Sequence, residues 1–227
     1  MSAAPVLLLF GAGANVGQSV ARAFAAKGYK IALVSRSQKD NTNIPNAIHI
    51  SSDLSDPSSV PGVFAKVSEK LGTPSVVVYN AAAVVPTKPE DPLSNPTEHF
   101  IKDLNINTTS AYNAGQQAVL GFQKLPATAS KTFIYTGNLL NTSIIVPYLD
   151  LGVGKSATAH IIQVAAEAYK DKGYKFYYAD ERKADGSSAG QEVDGDAHAE
   201  LYVVLAEGKA QGPWQQTFVK GKGYQKF

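Results

Sequence analysis

The sequence predicts a doubly wound α/β fold: about seven strands in a mostly parallel sheet, with helices on both faces. Three observations carry this. Short aliphatic or β-branched runs alternate with longer segments of helical spacing along the whole chain. The runs show no polar alternation, the pattern of strands covered on both faces. A glycine turn, residues 11–17, joins the first run to the first helical segment.

Val6–Phe10 reads as the first strand, and the alanine-rich Gly17–Lys27 as the helix after it. Lys30–Val34 and Ala47–Ile50 follow as strands, then Ser58–Leu71 as a helix and Val76–Tyr79 as the fourth strand. Thr97–Phe122 has the spacing of one long helix. Thr132–Tyr135, the helix Lys155–Lys172, the strand Lys175–Tyr178, the helix Ala197–Glu207 and the strand Gln216–Val219 complete the order. The polar stretch Asp180–Asp196 is either a mobile lid or a long surface loop. With no repeat, long linker or shift of composition, residues 1–227 are expected to form one domain.

Composition narrows the function. Hydrophobic residues make up 44% and charged residues 18%, enough apolar surface for a sizeable core. Twenty-one Lys and Arg against nineteen Asp and Glu provide no basic stripe for nucleic acid and no polybasic membrane patch. The absence of cysteine excludes disulfides, thiolate nucleophiles and cysteine-ligated metals. His49, His99, His160 and His198 are scattered without metal-ligand spacing. Val6–Phe10 has no basic flank and runs into glycine, unlike a signal peptide, and Val76–Val85 is too short to span a bilayer. A cytoplasmic protein with no metal, membrane or nucleic-acid partner is expected.

Gly11-Ala12-Gly13-Ala14-Asn15-Val16-Gly17 stands where a backbone can approach a pyrophosphate, with free N–H groups and positive dipole at the helix start. The spacing G-x-G-x-x-G fails at Val16; Gly11, Gly13 and Gly17 fit a variant one residue longer. A tight turn without ligand is the plainer alternative. The second strand ends in Ser35-Arg36, where an acidic residue would take a ribose 2′-hydroxyl and a cation a 2′-phosphate. Arg36 brings a planar fork suited to phosphate, which favours NADP(H); a solvated surface arginine is the alternative.

These residues, in this order, resemble a short-chain dehydrogenase/reductase, a family with a Rossmann fold. The resemblance runs from Val6 to the C-terminus. Gly11, Asn15 and Gly17 match the glycines of the family's phosphate turn, with Asn15 replacing the middle one as a residue tolerant of left-handed backbone. Asp53-Leu54 matches the acidic residue that holds the adenine amino group, and Asn80-Ala81-Ala82 the Asn-Ala-Gly turn. Asn107 matches the asparagine that organises a proton-relay water, and Lys155 the lysine of Tyr-x-x-x-Lys. The resemblance implies that Lys155 holds the nicotinamide ribose. It also implies a small-molecule substrate and a homodimer or homotetramer through the helices matching Thr97–Phe122 and Lys155–Lys172.

The family's chemistry is interrupted. Four residues before Lys155 stands Leu151 where a tyrosine would donate the proton, and Asn138 replaces the serine after the fifth strand. Ala179-Asp180 replaces a Pro-Gly pair beside the nicotinamide. Leucine transfers no proton, and general acid catalysis is worth about 10²–10⁴-fold. Tyr148 is the nearest substitute donor, sharing a side with Leu151 and Lys155 if the helix is continuous past Pro147; a packed or surface tyrosine is the plainer alternative. Asn138 can hydrogen-bond a carbonyl as an oxyanion-type donor, or cap its loop. Asp150 reads as a solvent-facing or capping carboxylate and His160 as a helix–helix contact; Asp180-Glu181-Arg182 either enter the substrate pocket or, the favoured reading, open a charged loop. The functions weighed are an NADP(H)-dependent oxidoreductase with altered proton delivery, an inactive NADP(H)-binding sensor or regulatory protein, and a non-redox enzyme on the same scaffold.

Overall fold

The computed structural model describes residues 4–37 and 44–227. One sheet runs in the order β3-β2-β1-β4-β5-β6-β7-β8. Its strands are β1 (Val6–Phe10), β2 (Lys30–Ser35), β3 (Ile48–Ser51), β4 (Val76–Tyr79), β5 (Thr132–Thr136), β6 (Lys175–Glu181), β7 (Gln215–Val219) and β8 (Gly223–Tyr224). The first seven are parallel, and the short β8, absent from the sequence reading, returns antiparallel on β7. Strand order reverses between β1 and β4, which places the topological switch point beyond their carboxyl ends.

The apolar runs form strands because both faces are covered. Alternate residues Leu8, Phe10, Val77 and Tyr79 pack under α2 (Val60–Lys70), α4 (Ser110–Phe122) and α5 (Leu149–Tyr169). Leu7, Leu9, Val76 and Val78 pack under α1 (Val16–Ala26) and α6 (Gly195–Glu207). At the carboxyl edge the register Phe10–Tyr79–Tyr135–Tyr178 aligns four rings on the α5 side, with centroids 5.6, 5.9 and 5.7 Å apart. This aromatic row is the floor on which the site is built.

Several boundaries differ from the sequence reading. The segment read as one helix is α3 (Thr97–Leu104), a π-turn at Asn105–Thr109, and α4. α5 begins at Leu149, six residues before Lys155, and is followed by a tight turn over Lys170–Lys172 that ends at left-handed Gly173. β6 continues through Asp180 and Glu181, which are therefore not loop residues. α6 starts on Asp194, whose Oδ1 accepts the Asp196 and Ala197 N–H groups at 2.9 Å. Among the described residues no helix is long and apolar enough to cross a membrane.

Candidate active site

The turn after β1 is fixed by Gly11. Its φ of +86° is open to glycine, and a Cβ there would lie 2.5 Å from the Ala81 nitrogen. Asn80 locks the crossing: its Nδ2 donates to the Gly11 carbonyl at 2.9 Å and its backbone N–H to Phe10 at 2.8 Å. A Cβ on Gly17 would lie 2.7 Å from the Gly11 oxygen, so the helix start also requires glycine. Asn15 departs from expectation. Its φ is −89°, so it is not the left-handed residue of the turn, and its Nδ2 donates to the Val193 carbonyl at 2.8 Å.

A cleft of about 380 Å³ opens beyond the ends of β1, β2, β3 and β4. Of the residues singled out for cofactor, Gly11, Gly13, Ser35, Arg36, Asp53, Leu54 and Asn80–Ala82 line it; Asn15, Val16, Gly17 and Lys155 do not. The sequence reading missed Ser37, His49, Ala83 and Ile106 on its wall. His49 was legible only through pairing: β3 lies beside β2, and His49 Nε2 meets Ser35 Oγ at 2.8 Å. Ser35 gives its own proton to Ser37 O at 2.7 Å, so His49 Nε2 is the donor. Burial pushes the His49 imidazole down. Asp53 Oδ1 accepts the Ser55 N–H at 3.0 Å; this bond, with the charges of Arg36 and Lys102, holds the carboxyl below its usual range.

Beyond β5 and β6 the polar groups are turned inward. Lys155 is 3% exposed; its Nζ donates to the Thr136 carbonyl at 2.8 Å and lies 4.4 Å from the centre of the Tyr135 ring. Burial pushes the ammonium down to about 7, against the attraction of Asp180. Asp180 is fully buried, and its Oδ2 accepts Nε and Nη2 of Arg182, each at 2.6 Å. Its Oδ1 is buried with no partner among the described residues, and burial raises the carboxyl. Glu181 points to the other face, where Oε2 accepts the Asp194 N–H at 2.8 Å and lies 3.4 Å from His198 Nδ1. The charged-loop reading of Asp180–Arg182 is corrected: all three are buried.

Asn107 exchanges two hydrogen bonds with the backbone of Ala83, at 3.1 and 2.7 Å. Its carbonyl, where the resemblance implied a relay water, accepts the hydroxyls of Tyr135 and Thr158, both at 2.9 Å. Asn138 caps the turn Leu139–Asn141 by accepting the Leu140 N–H at 3.0 Å, and its backbone is tied on both sides to the Tyr178 hydroxyl. Tyr148 ends a short turn before α5 with φ −112° and ψ 40°, so the helical alignment with Leu151 and Lys155 does not extend to it. Leu151 is half-buried in the first turn of α5. Asp150 is buried and within 3.5 Å of Asn95 Nδ2, rather than solvent-facing, while His160 is exposed on α5 and lines the groove between α4 and α5, away from the cleft.

These features define a Rossmann-type α/β protein whose cleft lies at the switch point. The family described as enoyl-(acyl carrier protein) reductase matches residues 11–178. The "Short chain dehydrogenase/reductase dmxR12" of Cryptosporiopsis sp. (strain 8999) is 50% identical over 98% of this chain and 95% of that protein. The protein therefore belongs to the short-chain dehydrogenase/reductase family of oxidoreductases. Solved structures share the fold at low identity. A metagenomic short-chain oxidoreductase in complex with NADP has a TM-score of 0.82 at 15% identity, covering 96% of this chain and 97% of that one. A 3-oxoacyl-[acyl-carrier protein] reductase from Brucella melitensis in complex with NAD has a TM-score of 0.76 at 16% identity, covering 91% of each chain.

Proposed function

We propose that the protein is an NADP(H)-dependent oxidoreductase acting on a small organic substrate with proton delivery unlike the family's tyrosine–serine pair. The observation that carries this is the cleft itself. Arg36 lines it at the end of β2 beside Ser35, a cation where a 2′-phosphate would lie, with neither Ser35 nor Ser37 carrying a negative charge. The cleft fits the adenosine part of the cofactor: Gly13 leaves open space on its wall, and Asp53 is a carboxylate available to an amino group. When bound, NADPH supplies a hydride.

Leu151 cannot protonate an alkoxide, so the substrates favoured are acceptors that need no proton during hydride transfer, an iminium or an activated double bond. The chain that leads into α5 is apolar and open to solvent, with Ile144, Val146 and Tyr148 exposed. Loss of the reduced-nicotinamide absorbance near about 340 nm against imines, enones and carbonyls tests the reading. Turnover of iminium or enone substrates is the expected result, and no turnover of any class refutes it.

A second reading, an NADP(H)-binding protein without turnover, is favoured by the commitment of Lys155, Asn107 and Asn138 to internal hydrogen bonds. Binding without absorbance loss against the full panel selects it. In either case we propose a cytoplasmic homodimer or homotetramer. The apolar groove between α4 and α5, lined by Tyr112, Val119, Leu120 and Val164, is the face that a second copy covers.

A further inference from the structure

We infer that His49 is a specificity-determining residue of the cleft: its ring braces the Ser35–Ser37 turn, and the braced turn holds Arg36 ready for a phosphate on the adenosine ribose. The inference rests on the NADP(H) reading above and deepens it, adding a positioning residue on β3 to the cation at the end of β2.

Arg36 is exposed, and it stands just past the end of β2. A long side chain on a loose backbone visits many conformers, and each one directed away from the cleft lowers its affinity for phosphate. The backbone here is not loose. Ser35 Oγ donates to the Ser37 carbonyl at 2.7 Å, which closes a turn around Arg36. His49 Nε2 donates to the same hydroxyl oxygen at 2.8 Å and fixes its direction. From the same side of the sheet Ser51 Oγ donates to the Arg36 carbonyl at 3.0 Å, and the Ser52 N–H to the Ser35 carbonyl at 3.1 Å. Of these ties to β3 and the chain after it, the one from His49 acts on the hydroxyl that closes the turn.

Packing alone does not account for an imidazole at this position. The register pairs His49 with Leu33, and Leu33 with Leu9, a row that is apolar on the α1 side of the sheet. An aliphatic side chain would continue that row. The ring instead buries Nδ1 with no partner among the described residues, which is unfavourable. What the imidazole contributes in return is the single N–H bonded to Ser35, on a ring that itself lines the cleft with Ser35, Arg36 and Ser37. A side chain that places an amide N–H at the same reach should serve as well, and a ring of similar bulk without a donor should not.

Calorimetric titration of the full chain with adenosine 2′,5′-bisphosphate and with adenosine 5′-monophosphate tests this, since the two ligands differ only in the 2′-phosphate. His49→Phe lowers the ratio of bisphosphate to monophosphate affinity about fivefold, the scale of one hydrogen bond. His49→Gln, whose amide nitrogen can stand in for Nε2, keeps the ratio within about twofold of wild type. Ser35→Ala removes the braced hydroxyl; it lowers the ratio by a similar factor, and adding His49→Phe to it changes nothing more. Three results overturn the inference: an unchanged ratio in His49→Phe, equal weakening of both ligands, or the same loss in His49→Gln as in His49→Phe. If His49→Phe does not fold, Ser35→Ala carries the test, and an unchanged ratio there overturns the inference. A wild-type protein that does not prefer the bisphosphate refutes the NADP(H) reading itself, whereas a preference that survives His49→Phe refutes only the role of His49.

Discussion

The hydroxyl of Tyr135 donates to the carbonyl of Asn107 across 2.9 Å, and Thr158 fills the other side of the same oxygen. A carbonyl has two lone pairs, so Asn107 has none left for a relay water. On the proposed reading of altered proton delivery, the change extends beyond Leu151, because the carbonyl that would hold the relay water is already occupied. Restoring the donor alone should restore little. Leu151→Tyr with Asn138→Ser is expected to give weak carbonyl reduction. Adding Tyr135→Phe, which frees one lone pair, should raise it further within the about 10²–10⁴-fold that general acid catalysis supplies. Initial rates of NADPH oxidation for the double and triple variants decide it; equal rates refute the role given to Tyr135.

Arg36 should determine the choice between phosphorylated and unphosphorylated cofactor. A charge-assisted hydrogen bond contributes about 1.5–3 kcal/mol, so Arg36→Ala should weaken NADP⁺ about 10–100-fold. Affinity for NAD⁺ should change little, since its ribose carries no phosphate there. Parallel titration with both dinucleotides is the measurement, and equal loss for the two would show that Arg36 does not face the 2′-position.

Much of this fold was legible in the sequence because the strands are apolar on both faces and the helices carry a regular stripe. What was not legible depended on distant partners. β6 was expected to end at Tyr178 because Asp180, Glu181 and Arg182 look like surface charges. They remain in or beside the strand because Arg182 neutralises Asp180 and Glu181 finds the Asp194 N–H. The start of α5 was read at Lys155, yet the helix begins at Leu149 and runs through Gly152 and Gly154. Gly154 is a packing residue, since a Cβ on it would lie 2.6 Å from that of Asn107. The glycine turn was found by spacing, but the partner of Asn15 lies 178 residues away, and no local pattern announces it.

The buried pair at the end of β6 should be asymmetric to mutation. Arg182→Met leaves Asp180 buried and unpaired, which is expected to destabilise the fold by about 3–5 kcal/mol. Asp180→Leu combined with Arg182→Met should recover most of that loss, because two apolar side chains leave no unpaired member of the pair behind. Urea unfolding midpoints of the single and double variants check this, and a double variant no better than the single would place the stabilising role of Arg182 in its bond to Gly186 instead.

Lys155 makes stability depend on pH in a definite direction. In the folded protein burial pushes its ammonium down to about 7, while the exposed side chain of the unfolded chain keeps the ordinary value of 10.5. Between those values the unfolded chain binds more protons than the folded one, so stability rises with pH. The slope for one fully shifted group is about 1.4 kcal/mol per pH unit. Below the lower value both states are protonated and the dependence flattens. Lys175, which burial pushes down to about 8, adds a rise of the same sign, so the wild-type curve alone does not isolate Lys155. Lys155→Met does. Its advantage or disadvantage relative to wild type should shift steadily against the variant between about pH 7 and about pH 9, and hold constant below that window. Urea denaturation of both proteins across this range measures the difference, and parallel curves would mean that Lys155 stays charged in the folded state.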